Sequence, residues 1–179
     1  LNMVVNVLEG EFPGGASAGL PLFSPAVITV SDVPTVGGMA VILQGANASA
    51  EHTGQHGEVL KGNFKFHGAM LGRAVMGTRL LRSFNTGTSG LGTAQNLGAV
   101  SATQAVYAAL HILGTTGTGS GAVLAIISSA SSGMPAPTVR ITFNSGTSSG
   151  RVGEWQNTAV GAITDIWWAA RWLTFAGAS

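Results

Sequence analysis

From Gln104 to Phe175 the chain is a succession of short aliphatic and aromatic segments held apart by glycine and serine, a punctuation that favours sheet over any other regular structure. The segments are QAVYAALHIL (104–113), GAVLAIISS (121–129), PTVRITF (137–143) and EWQNTAVGAITDIWWAARWLTF (154–175). Around them lie GTSGLGT (87–93), GTTGTGSG (114–121), SSASSGM (128–134) and NSGTSSG (144–150), all turn-forming by composition. Strand signals also recur upstream, in AVITV (26–30), MAVIL (39–43), VLKGNFKFH (59–67) and RAVMGTRLL (73–81). In the third of these, Phe64 and Phe66 alternate with Asn63 and Lys65, the pattern of a strand with one buried face.

This spacing predicts an all-β fold, an antiparallel β-sandwich or barrel with Gly/Ser-rich loops. Only Thr158–Ala170 competes as a helix, and its Gly161, Ile163, Thr164, Ile166, Trp167 and Trp168 turn its second half towards strand. Residues 1–25, punctuated by Gly10, Pro13, Gly14, Gly15, Gly19, Pro21 and Pro25, read as an extended N-terminal arm, and residues 26–179 as one β-sandwich domain. The first residue is Leu1, so a preceding segment is expected.

Composition narrows the class further. Charged residues make up 8% of the chain, against roughly 25% in an average soluble domain, while 45% are hydrophobic. That balance excludes intrinsic disorder, which needs low hydrophobicity and high net charge. No apolar run approaches the ~20 residues of a membrane-spanning helix, so no membrane partner is expected. A folded protein whose surface is partly covered by other subunits satisfies both facts. Cysteine is absent, which removes disulfides and thiolate metal sites.

The charges are segregated. Residues 1–58 hold Glu9, Glu11, Asp32, Glu51 and Glu58 and no lysine or arginine; residues 59–153 hold Lys61, Lys65, Arg73, Arg79, Arg82, Arg140 and Arg151 and no acid. Pairing within one subunit, chance in a charge-poor chain, or pairing between subunits would each produce this. The last would fix register between copies, and Glu9, Glu11 and Asp32 against Arg73, Arg79 and Arg82 are the residues expected to carry it.

No catalytic, cofactor or metal site is expected. His52 and His56 have the HxxxH spacing of a helical zinc site, but Gly54 and Gly57 oppose a helix there, and a solvated loop is the simpler reading. His67 and His111 fall in strand-like segments. GTTGTGSG lacks the lysine of a phosphate-binding loop, no GxSxG elbow occurs, and Glu154 and Asp165 suit strand ends or an interface better than paired carboxylate chemistry. Lys61–Arg82 with Phe64, Phe66 and Phe84 resembles a nucleic-acid groove in kind, yet net charge is only +1. The strongest candidates for recognition are Trp155, Trp167, Trp168 and Trp172, because indoles dominate interface hot spots. Adjacent Trp167 and Trp168 in a strand face opposite ways, so at most one joins the core and the other needs a cover. An exposed indole would also suit a carbohydrate-binding module, the rival from another class.

In order and wording, GQHGEVLKGNFKFHG (54–68), GRAVMGTRLL (72–81), GTAQNLGAVSATQAVYAALHIL (92–113), PTVRITF and GAITDIWWAARW (161–172) resemble the major tail, or tail tube, proteins of tailed bacteriophages. The resemblance covers about two thirds of the chain. It implies a β-sandwich virion protein that closes into rings, generally hexamers, stacked as a tube for DNA passage. Its implied partners are further copies of itself, other phage tail proteins and DNA in transient, non-specific contact; no catalytic residue carries over. The implied location is the phage tail, assembled in the host bacterial cytoplasm. Arg73 is followed here by Ala74 where the family has Arg-Gly, and the family's N-terminal portion is expected to be shortened or absent, which keeps a capsid decoration or other tail role open beside the tube.

Overall fold

The computed structural model describes residues 4–11, 25–31, 33, 35–53, 61–67, 74–82, 88–112, 122–144 and 152–174. Within them the protein is all-β. No helix and no closed barrel occurs among the described residues, and no helix there is long and apolar enough to cross a membrane.

Two compact units emerge from the tracing, one of residues 1–30 and 41–75, the other of residues 31–40 and 76–179. The first is built on a sheet in the order β1 (Val4–Glu11), β4 (Lys61–His67), β3 (Met39–Thr53), β2 (Pro25–Ser31), with β5 (Ala74–Thr78) also paired to β3. The stretch expected as an arm thus contributes β1, which pairs with β4 from Val4↔His67 to Glu11↔Lys61; residues 12–24 lie outside the described residues. The register sets Phe64 opposite Val7 and Phe66 opposite Val5.

The second unit is a two-layer arrangement. Its main sheet runs β10 (Thr138–Phe143), β9 (Ala122–Ser129), β12 (Trp167–Thr174), β6 (Gly90–Leu91), with β7 (Gln95–Asn96) also on β12. A second ladder joins β8 (Tyr107–Ile112) to β11 (Val152–Asn157). The ladders β1–β4, β3–β4, β9–β10, β9–β12, β6–β12, β7–β12 and β8–β11 are antiparallel. One face of the main sheet supplies Leu124, Ile126, Ile141, Phe143, Trp168 and Ala170, and Val106, Ala108 and Leu110 from the β8 side pack against them. The opposite face buries Ala125, Ile127 and Ala169 beneath Met134, Ala94 and Trp167. Strand alternation explains the division: odd positions of β9 and β12 go to one face and even positions to the other.

Met134 is held at φ 49°, a left-handed conformation that costs a non-glycine residue roughly 1–2 kcal/mol. Its side chain is buried against Ile127 and Ala169, and its N–H donates to the Ser131 carbonyl at 3.1 Å. Burial of an apolar side chain of that size, about 1.5–3 kcal/mol, is enough to offset the strain. Sequence reading assigned GTSGLGT wholly to turn; Gly90 and Leu91 instead add a short strand to β12, opposite Trp172 and Arg171.

Candidate functional site

The aromatic block at the carboxy end organises the second unit, and each indole has a distinct environment. Trp168 is 2% exposed and its Nε1–H donates to the Gly98 carbonyl at 3.0 Å. Trp172 lies across Gly90 and donates from Nε1 to the Thr88 carbonyl at 2.8 Å. Trp155 meets Tyr107 across the β8–β11 ladder, ring centroids 5.7 Å apart and tilted by 41°. Trp167 is half-buried on the other face, beside the Met134 cluster. Of the two adjacent indoles, Trp168 is enclosed in the core, and part of the cover that Trp167 needs comes from its own chain.

A polar knot ties three segments together at the edge of the main core. Ser128, fully buried, donates from Oγ to Asp165 Oδ2 at 2.7 Å and accepts from Arg140 Nε at 2.7 Å. Arg140 Nη2 closes the triangle on Asp165 Oδ2 at 2.9 Å. A register shift in β10 between Val139 and Ile141 leaves Arg140 at a bulge, the kind of irregularity that re-aims a side chain. The Ser128 hydroxyl first, then the Arg140 guanidinium, hold the Asp165 carboxyl below its ordinary value of 3.8. Glu154 is occupied elsewhere: both its carboxylate oxygens accept from the Asn144 N–H, at 2.9 and 3.0 Å, and Oε1 also accepts from Gln156 Nε2 at 2.7 Å. Glu154 and Asp165 thus serve separate structural contacts.

The pH consequence of the knot has a definite sign. A carboxyl whose pKa is lower folded than unfolded stabilises the fold fully above the unfolded value, and the contribution is lost as pH falls through the folded value. Asp165→Asn is therefore expected to be less stable than the parent at pH 7, by about 1–3 kcal/mol for an impaired hydrogen-bonded charge pair. The gap should close as pH falls from 3.8 towards the lowered folded value. Urea unfolding at pH 7, 5, 3.5 and 2.5 measures it, and a gap that stayed constant would show that the Asp165 charge plays no part. His111, in β8, is also shifted: burial first, and the Arg79 cation second, push its pKa below 6.5 and keep the ring neutral.

The expected intersubunit residues are drawn from both units. Arg79 is half-buried, its backbone exchanging hydrogen bonds of 2.9 Å with Gly37 and Gly38, and Arg82 is exposed. Gly37 is at φ +89°, so the turn that receives Arg79 needs a glycine. Glu9 and Glu11 lie in β1, and the register sets Glu11 opposite Lys61. Asp32 and Arg73 lie outside the described residues. His52 is in strand β3, whereas His56 lies outside the described residues; among those residues no group of three metal-ligating side chains occurs.

One arrangement was not singled out in the sequence. Alternation along β12 puts Arg171 and Leu173 on the face of Trp167 and Ala169, and Leu91 stands opposite Arg171. Leu91 is 48% and Leu173 42% exposed, so the Arg171 cation has solvent-open apolar neighbours on this face. The alternation W-A-R-L in 167–173 carried that signal. Comparison with protein-family models, with curated proteins and with solved structures finds no match to this chain.

Proposed function

We propose that this protein is a virion structural subunit that self-assembles into stacked rings, forming the tail tube of a tailed bacteriophage through which DNA passes. The observation that carries the reading is an apolar, charge-poor surface. Met39, Met76, Leu97, Val139, Val160 and Ile166 stand exposed, together with Leu91 and Leu173, on a chain in which 8% of residues are charged. A charge-poor chain with this many exposed apolar side chains suits a surface that other subunits cover. An all-β subunit suits the role, and the ordered motifs that resemble tail tube proteins give it its specific form. A sugar-binding platform would present an open indole, but all four tryptophans are buried or half-buried.

Negative-stain electron microscopy of the purified chain at low and high concentration tests the proposal directly. Rings or tubes with a central channel are the expected result, and particles that remain small and uniform at every concentration would overturn it. Arg79→Glu with Arg82→Glu should impair polymerisation, since reversed charges at a complementary interface are repelled. The backbone pairing of Arg79 with Gly37 and Gly38 needs no side chain, so the monomer fold should persist. Unchanged polymers in that double variant would remove these two arginines from the interface.

A further inference from the structure

The outer face of the main sheet in the second unit is closed over most fully at one end. There Met134, Ala94 and Trp167 close over Ile127 and Ala169. At the other end the register sets Thr142, Ala125, Arg171 and Leu91 side by side across β10, β9, β12 and β6, with Val123 and Leu173 as the next pair. Leu91, Leu173 and Thr142 are exposed, Val123 and Arg171 half-exposed, and Ala125 is buried between them. Among the described residues the salt bridge is Arg140–Asp165, and no carboxylate is paired with Arg171.

The geometry points to this half-open face as a contact between copies of this chain, with Arg171 receiving a carboxylate from the acidic stretch 1–58 of a second copy. The inference rests on the self-assembly reading above and names a surface for it. Two physical arguments support the choice. An arginine amid apolar side chains is the usual cation of interface centres, because its planar, weakly hydrated guanidinium tolerates desolvation when a carboxylate meets it. Desolvated without such a partner, the charge would oppose binding. A second copy supplies the missing carboxylate at equal stoichiometry, since residues 1–58 carry Glu9, Glu11, Asp32, Glu51 and Glu58 and no base. A cation-seeking partner of unrelated sequence would have no such built-in match.

The absence of cysteine makes the test clean. Leu173→Cys in the full chain, labelled with a benzophenone maleimide and mixed with isotopically heavy unlabelled protein, should give light-dependent cross-links between light and heavy copies. Their partner peptides should fall within residues 1–58. Arg171→Glu should raise the concentration needed for assembly about tenfold or more, with Arg171→Lys intermediate because it keeps the charge but loses the bidentate fork. The cross-link is an independent readout should Arg171→Glu fold poorly. Assembly by the parent with cross-links confined to one copy, or directed outside residues 1–58, would overturn the inference while leaving self-assembly standing. So would an Arg171→Glu variant that folds and assembles at the parent's concentration. A parent chain that stays monomeric at every concentration would overturn both.

Discussion

Truncating Trp168 to alanine should destabilise the second unit by about 3–5 kcal/mol, the range for removing a fully buried indole from a close-packed core. Leu124, Ile126, Ile141, Phe143 and Ala170 belong to the same cluster, and neighbouring strands can collapse only partly into the space left. The Gly98 carbonyl loses its indole donor at the same time. Whole domains are stable by only about 5–15 kcal/mol, so the variant should sit close to its unfolding threshold at room temperature. Trp168→Phe separates the two contributions: it keeps most of the apolar volume and forfeits the hydrogen bond, for a smaller loss. Denaturant unfolding followed by circular dichroism measures both. A loss below about 1 kcal/mol for alanine would mean that the cluster does not depend on this ring.

The second large effect is at Gly90, where a side chain has no room. A β-carbon built there would lie 2.6 Å from Cε2 of Trp172, with Cζ2 closer still. Alanine must therefore push the indole away, straining its hydrogen bond to Thr88 and opening the edge of the main cluster. Overpacking of this kind costs about 1–3 kcal/mol, and loss of the indole hydrogen bond adds about 1 kcal/mol. The diagnostic is non-additivity. In a Trp172→Ala background the obstacle is gone, and Gly90→Ala should then be nearly neutral, so the double variant should cost less than the sum of the two singles. Strict additivity would show that Gly90 is needed for its backbone alone.

Both predictions concern residues whose types were visible in the sequence and whose roles were not. The tryptophans stood out as recognition candidates because they are large and clustered, yet Trp168 and Trp172 are engaged within their own subunit. Gly90 looked like one more turn glycine in GTSGLGT, and nothing local to it announces an indole arriving from position 172. Arg171 lies outside both segregated charge stretches, so charge segregation does not mark it. Its neighbours Leu91 and Leu173 become meaningful only when β6 is laid beside β12.

What the sequence by itself determined is the local alphabet. Apolar alternation and β-branched or aromatic residues produced strands wherever Gly/Ser runs bounded them, as in 122–129, 138–143 and 167–174, because strand formation needs only a pleated stretch with a consistent buried face. It also dictated that Trp167 and Trp168 go to opposite sides, since that follows from a period of two. Tertiary structure alone decided which side is enclosed, which strands are neighbours, and which polar atoms find partners. The Ser128–Arg140–Asp165 knot joins residues separated by 12 and 25 positions, and Trp172 reaches Thr88 across 84. Such contacts are set by the order and register of strands in the sheet, and register is fixed by the combined burial of many side chains at once, a sum that no single segment contains.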